Sequence, residues 1–165
     1  MIPVKSAIEE QAWLLIDNSD YTNDGHMGDE IRKVKFRFKP LGLTKIDPAS
    51  IDGQENIRSV ILSENLYLLR MELISLSKEP FQGYPRSIFH KYIVMRDSEG
   101  FTFKPIYDDH LCAFSDFARQ SEQHNFNLTT TFNPKINYKA TILFELPDEV
   151  DDLFFASTYS EIREA

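Results

Sequence analysis

Apolar and polar residues alternate most cleanly from Lys33 to Lys39, where Val34, Phe36 and Phe38 interleave with Lys33, Lys35, Arg37 and Lys39. A period of two places the apolar set on one face of a strand and the cations on the other, so Val34, Phe36 and Phe38 are predicted to face a core. The run 66–76 reads as a longer strand, with Tyr67, Leu69, Met71 and Leu73 on one face and Leu68, Arg70 and Glu72 on the other. Further strands are expected over 57–62, 89–95, 126–132, 138–146 and 153–157. Turn residues punctuate them: Pro40-Leu41-Gly42, Asp52-Gly53, Ser63-Glu64-Asn65, the loop 78–85 with its prolines Pro80 and Pro85, and Pro147-Asp148-Glu149. Arg96-Asp97-Ser98-Glu99-Gly100 followed by Phe101-Thr102-Phe103 is a hairpin signal, and Gly100 is expected at positive φ between strands near Met95 and Phe103.

The N-terminus follows another rule. Ser6-Ala7-Ile8-Glu9 has the form of a capping box, which predicts a short helix over 7–16 with Ile8, Ala12 and Leu15 on one face and Trp13 beside it. A strand over 12–17 is the competing reading. A polar stretch, 17–25, comes next, and residues 160–165 read as a frayed tail. Strands without a strand–helix alternation argue for an all-β fold, an immunoglobulin-like two-sheet sandwich with a short N-terminal helix. The division expected is 1–30 for the helix and polar loop, 31–159 for the sandwich, and 160–165 for the tail.

Composition narrows this picture. A chain of 165 residues with 42% hydrophobic and 13% aromatic content supports one packed core, and thirteen Phe with seven Tyr suit pleated surfaces. The net charge of −8, from 26 acidic and 18 basic residues, repels phosphate backbones and anionic headgroups, so nucleic acid is not an expected partner. The cations from Arg32 to Lys39 then read as the solvated side of a strand. The single cysteine, Cys112, excludes an internal disulfide and a thiolate cluster, and between Leu111 and Ala113 it reads as a small buried hydrophobe. No apolar run is long enough for a transmembrane helix. The N-terminal residues turn charged at Glu9 and Glu10 before any apolar stretch develops, so no signal peptide is visible, which leaves a cytoplasmic protein or one whose leader is missing.

Tyr67 to Leu73, Ser75-Leu76-Ser77-Lys78-Glu79-Pro80, the acidic-glycine hairpin 96–103, Asn133-Pro134, Ile142 to Pro147 and Leu153-Phe154-Phe155 follow one another in an order that resembles the telokin-like, immunoglobulin-fold domains of unknown function on bacterial envelope proteins. The resemblance covers about 66–155. It implies a sandwich of about seven strands and an extracytoplasmic home, in the envelope or secreted, and it carries no catalytic residues to transfer. Two departures stand out: Lys135 follows Pro134 where the family usually has glycine, and the N-terminus lacks a leader or lipid-bearing cysteine. The paired cysteines and core tryptophan of antibody domains are absent as well.

Candidate chemistry is sparse. Asp20-Tyr21-Thr22-Asn23-Asp24-Gly25 opens like a calcium loop, but the closing carboxylate should fall at Ile31, and Glu30 is one position early. Asp108-Asp109-His110 sets two carboxylates beside an imidazole, which suits a metal or a general base only if other ligands converge. His26, His90 and His124 stand alone. Asp148, Glu149, Asp151 and Asp152 read as an acidic turn that keeps sheet edges soluble rather than as an acid–base pair. Asn127-Leu128-Thr129 has the form of a glycosylation acceptor, without meaning in a bacterial source. Nucleophile elbows, phosphate loops and zinc-protease helices are absent. The expectation is a non-enzymatic binding or spacer module with no catalytic residues, metal or cofactor, whose partner is a protein or other envelope component. Phe81 and Tyr84 in the proline-bounded loop either pack onto the sheet, the preferred reading, or offer a recognition surface. The alternative is a metal-dependent enzyme or metal-binding protein using Asp108, Asp109 and His110.

Overall fold

The alternation at 34–39 places Phe36 and Phe38 on one side of a strand, and the fold is assembled around that strand. The computed structural model describes residues 1–18, 34–47, 64–82, 92–105, 131–158 and 160–165. Along the chain these form β1 (Ile2–Pro3), α1 (Val4–Glu10), β2 (Leu14–Asp17), β3 (Lys35–Ile46), β4 (Leu66–Ser75), β5 (Phe81–Gln82), β6 (Val94–Arg96), β7 (Thr102–Phe103), β8 (Thr131–Phe132), β9 (Asn137–Glu145), β10 (Phe154–Ala156) and β11 (Ile162–Glu164). One antiparallel sheet has the order β11-β2-β3-β4-β9 and a second the order β1-β10-β6-β7, while β5 and β8 pair with each other.

The two larger sheets pack face to face. Phe38 on β3 and Phe155 on β10 are fully buried and meet edge to face, with ring centroids 5.5 Å apart. Around them Leu14, Ile16, Leu69, Met71, Leu73 and Phe144 from the five-stranded sheet share a core with Met95 and Leu153. Each such side chain contributes roughly 1.5–3 kcal/mol by leaving water. Among the described residues the fold is an all-β, two-sheet sandwich with one short α-helix, and the predicted inward sets of β3 and β4 are buried in its core.

The N-terminal helix is shorter and earlier than its sequence signature suggests. α1 starts at Val4 after Pro3, which makes no side-chain capping bond, so Ser6 lies inside the helix and the expected capping box does not form. Gln11 ends it in a left-handed conformation, with φ 48°. Leu14 and Ile16 are then fully buried at alternate positions of β2, which pairs with β3, so the competing strand reading holds for this stretch. The period-two burial offered by a neighbouring strand outweighs local helix propensity. The helix thus passes the chain from β1 in one sheet to β2 in the other.

Three further expectations are corrected. Pro40-Leu41-Gly42 does not end β3, because the register shifts there and the strand runs on to Ile46. Proline lacks a ladder donor, and a bulge is where an interior strand tolerates one. The loop 78–85 contains β5, paired with β8. Residues 160–165 are not frayed, since β11 pairs with β2 and buries Ile162.

The hairpin is as expected. Gly100 has φ 92°, Met95 pairs with Phe103, and Gly100 N–H donates to the Asp97 carbonyl while Asp97 N–H donates to that of Phe101. The Asp97 carboxylate also accepts the Glu99 and Phe101 amides at 3.0 and 2.9 Å.

Candidate functional site

β3 has one face committed to the core, so Lys35, Arg37 and Lys39 project from the other. Cross-strand register assembles their neighbours. Leu15 and Ile74 lie opposite Arg37, Glu72 lies between Lys39 and Lys139, Arg163 pairs with Leu15, and Arg70 pairs with Gly42 and Thr141. The outward side of the five-stranded sheet therefore carries Lys35, Arg37, Lys39, Arg70, Lys139 and Arg163 against Asp17, Glu72 and, at the far end, Glu145. Among the described residues, this face of a chain of net charge −8 carries more cations than carboxylates. Near Glu145 the same face turns apolar, with Leu66, Leu68 and Leu143 buried.

Trp13 organises the polar part. The Arg37 guanidinium carbon lies 4.7 Å and the Lys39 ammonium 5.0 Å from the centroid of its ring, so one aromatic faces two cations. Its backbone is fixed from the C-terminus, where Ala165 N–H donates to the Trp13 carbonyl at 3.0 Å. β3 is fixed at its start: Leu76 N–H donates to the Lys35 carbonyl at 2.8 Å, and Lys35 N–H donates to Ser77 Oγ at 3.2 Å.

The cations differ in how they are neutralised. Lys39 pairs with Glu72 at 2.9 Å, both mostly buried. Asp17 sits 3.9 Å from both Lys35 and Arg163. Arg37, Arg70 and Lys139 have no carboxylate partner among the described residues. Arg37 Nε is buried without a hydrogen-bond partner there, flanked across the ladder by the apolar Leu15 and Ile74. Arg37 thus sets a guanidinium over an aromatic ring with its Nε buried, so a planar anion such as a carboxylate approaching from solvent would meet its outer Nη edge.

The sequence-predicted candidates fare unevenly. Asp20 to Gly25, His26, Tyr84, His90, Asp108, Asp109, His110, Cys112, His124 and the stretch 127–129 lie outside the described residues. Phe81 is described only through its pairing with Phe132. In the acidic turn, Asp152 accepts bonds from the Ser98 hydroxyl at 2.7 Å and the Ser98 amide at 3.3 Å, and Asp151 lies 3.9 Å from Lys5. Asp152 thus ties the 97–100 turn to the chain ahead of β10. Among the described residues no three His, Cys, Asp or Glu side chains converge as metal ligands, and no helix is long and apolar enough to cross a membrane.

Sequence reasoning found the cations of β3 and missed Trp13, which the helix reading set beside a helical face. The available signal was the alternation of Trp13, Leu15 and Asp17 with Leu14 and Ile16, in phase with the β3 ladder.

In architecture the molecule is a two-sheet β-sandwich with a charged, tryptophan-centred sheet face. No family model matches the chain, and no curated protein matches it. Among solved structures, the crystal structure of MPT63, a secreted protein from Mycobacterium tuberculosis, aligns with 80% of this chain and 84% of its own at 11% identity and a TM-score of 0.44.

Proposed function

We propose that this domain is a non-enzymatic binding module that engages an anionic partner through the outward face of its five-stranded sheet. The observation that carries the reading is Arg37, a half-buried cation that lies over Trp13 with no carboxylate partner among the described residues. A guanidinium held by its stem and by the Trp13 ring has little freedom left to lose on binding, which favours recognition. The resemblance of 66–155 to telokin-like envelope domains supports an extracytoplasmic home, in the envelope or secreted, with a protein or other envelope component as partner.

Retention on a carboxylate cation-exchange matrix at pH 7 and low salt tests this. The net charge of −8 predicts exclusion, whereas a functional positive face predicts retention. The paired substitution Lys35→Glu with Arg37→Glu should abolish retention, and Lys5→Glu with Lys104→Glu, which lowers the net charge equally elsewhere, should leave it. Flow-through of the unsubstituted protein, or equal loss in both pairs, would contradict the reading.

A further inference from the structure

The spacing of the face identifies the anion it suits, and this inference rests on the binding reading above. Lys35, Arg37 and Lys39 occupy alternate positions of one strand, so their side chains leave the sheet about 6.6–6.8 Å apart. An extended polypeptide with acidic residues at alternate positions has the same repeat, so with one carboxylate over Arg37 its neighbours fall above Lys35 and Lys39, where they compete with Asp17 and Glu72 for the ammonium groups while the intervening side chains face water. Neighbouring strands lie about 4.8 Å apart, so Arg163 on β11 and Lys139 on β9, each two strands from β3, flank the track at roughly 9–10 Å without changing that repeat.

The wider charge distribution selects against larger polyanions. A bilayer or a nucleic-acid duplex presents its charge over an area wider than the face, and would meet the acidic remainder of a molecule of net charge −8. A short peptide lies within about one Debye length, roughly 8–10 Å, of the cations and is screened from the rest. We infer that the Trp13–Arg37 face binds an extended acidic peptide segment with Asp or Glu at alternate positions, Arg37 receiving the central carboxylate.

Trp13 is the single tryptophan of the chain and reports binding directly through its fluorescence. The full chain is titrated with two blocked octapeptides of equal charge, one alternating Glu and Ser, the other four Glu followed by four Ser. Parallel titrations use vesicles containing anionic lipid and a short DNA duplex. The alternating peptide should bind about five-fold or more tighter than the block peptide, and Arg37→Gln should weaken it about ten-fold, the loss expected of one charge-assisted contact. Lys35→Gln, at a more exposed site, should weaken it as well and serves if Arg37→Gln fails to fold. Equal affinity for the two peptides would overturn the spacing argument and leave the binding reading standing. Tighter binding of vesicles or duplex than of either peptide would overturn the peptide assignment. Silence toward all four anions would overturn the binding reading itself.

Discussion

Gly100 and Lys135 occupy left-handed backbone, with φ 92° and 63°, and predict opposite responses to substitution. A Cβ added at Gly100 would meet nothing within 4 Å, so Gly100→Ala isolates the backbone cost, about 1–2 kcal/mol, and should lower the chemical-denaturation midpoint. Lys135 takes a left-handed backbone conformation that favours glycine. Its amide donates to the Ser75 carbonyl at 2.9 Å, which holds the turn against the end of β4. Lys135→Gly should therefore be neutral to stabilising, by up to about 1 kcal/mol, and a clear loss would show that the lysine side chain contributes to the turn. Asn18 is buried, and Val34 N–H donates to its Oδ1 at 2.7 Å while the Asn18 backbone N–H donates to the Val34 carbonyl at 3.0 Å. Asn18→Ala leaves a buried amide unsatisfied and should cost about 1–3 kcal/mol by the same assay. Gly100 was legible because a turn of this kind states its residue preference locally. Asn18 was not, since nothing near it in sequence names a partner sixteen residues away.

Among the elements, β3, β4 and β9 were readable because each is long and either alternates or carries a dense apolar run. The elements that misled are short, and their conformation is set by a neighbour. β2 spans four residues and β11 three, too few for periodicity to outweigh a helical start signal or the expectation of a frayed terminus. The bulge at Pro40–Gly42 hid the second half of β3 for a related reason: its residues are turn formers, and the chain is held extended by ten cross-strand partners on β4. The structural role of β11 is testable. Ile162 is buried where β11 covers β2, so Ile162→Ala should destabilise by about 2 kcal/mol or more, whereas a truly frayed tail would give less than about 0.5 kcal/mol. Because Ala165 holds the Trp13 backbone, the same substitution should also alter Trp13 fluorescence.

Across the whole molecule, the informative feature is the separation of charge: an acidic chain keeps a positive, tryptophan-centred face on one sheet. The sequence displays the cations of β3, but their meeting with Trp13, Arg70, Lys139 and Arg163 depends on the strand order β11-β2-β3-β4-β9, which no local pattern encodes. That is why a row of lysines and arginines read as an ordinary solvated strand. The measurement that tests the account most directly is residue-resolved NMR of the ¹⁵N-labelled protein titrated with an alternating Glu–Ser peptide. The account predicts salt-sensitive shifts concentrated at the Trp13 indole N–H, Arg37 Nε–H and the amides of β2 and β3, with the 97–103 hairpin and β10 unmoved. Shifts centred elsewhere, or none at saturating peptide, would contradict it.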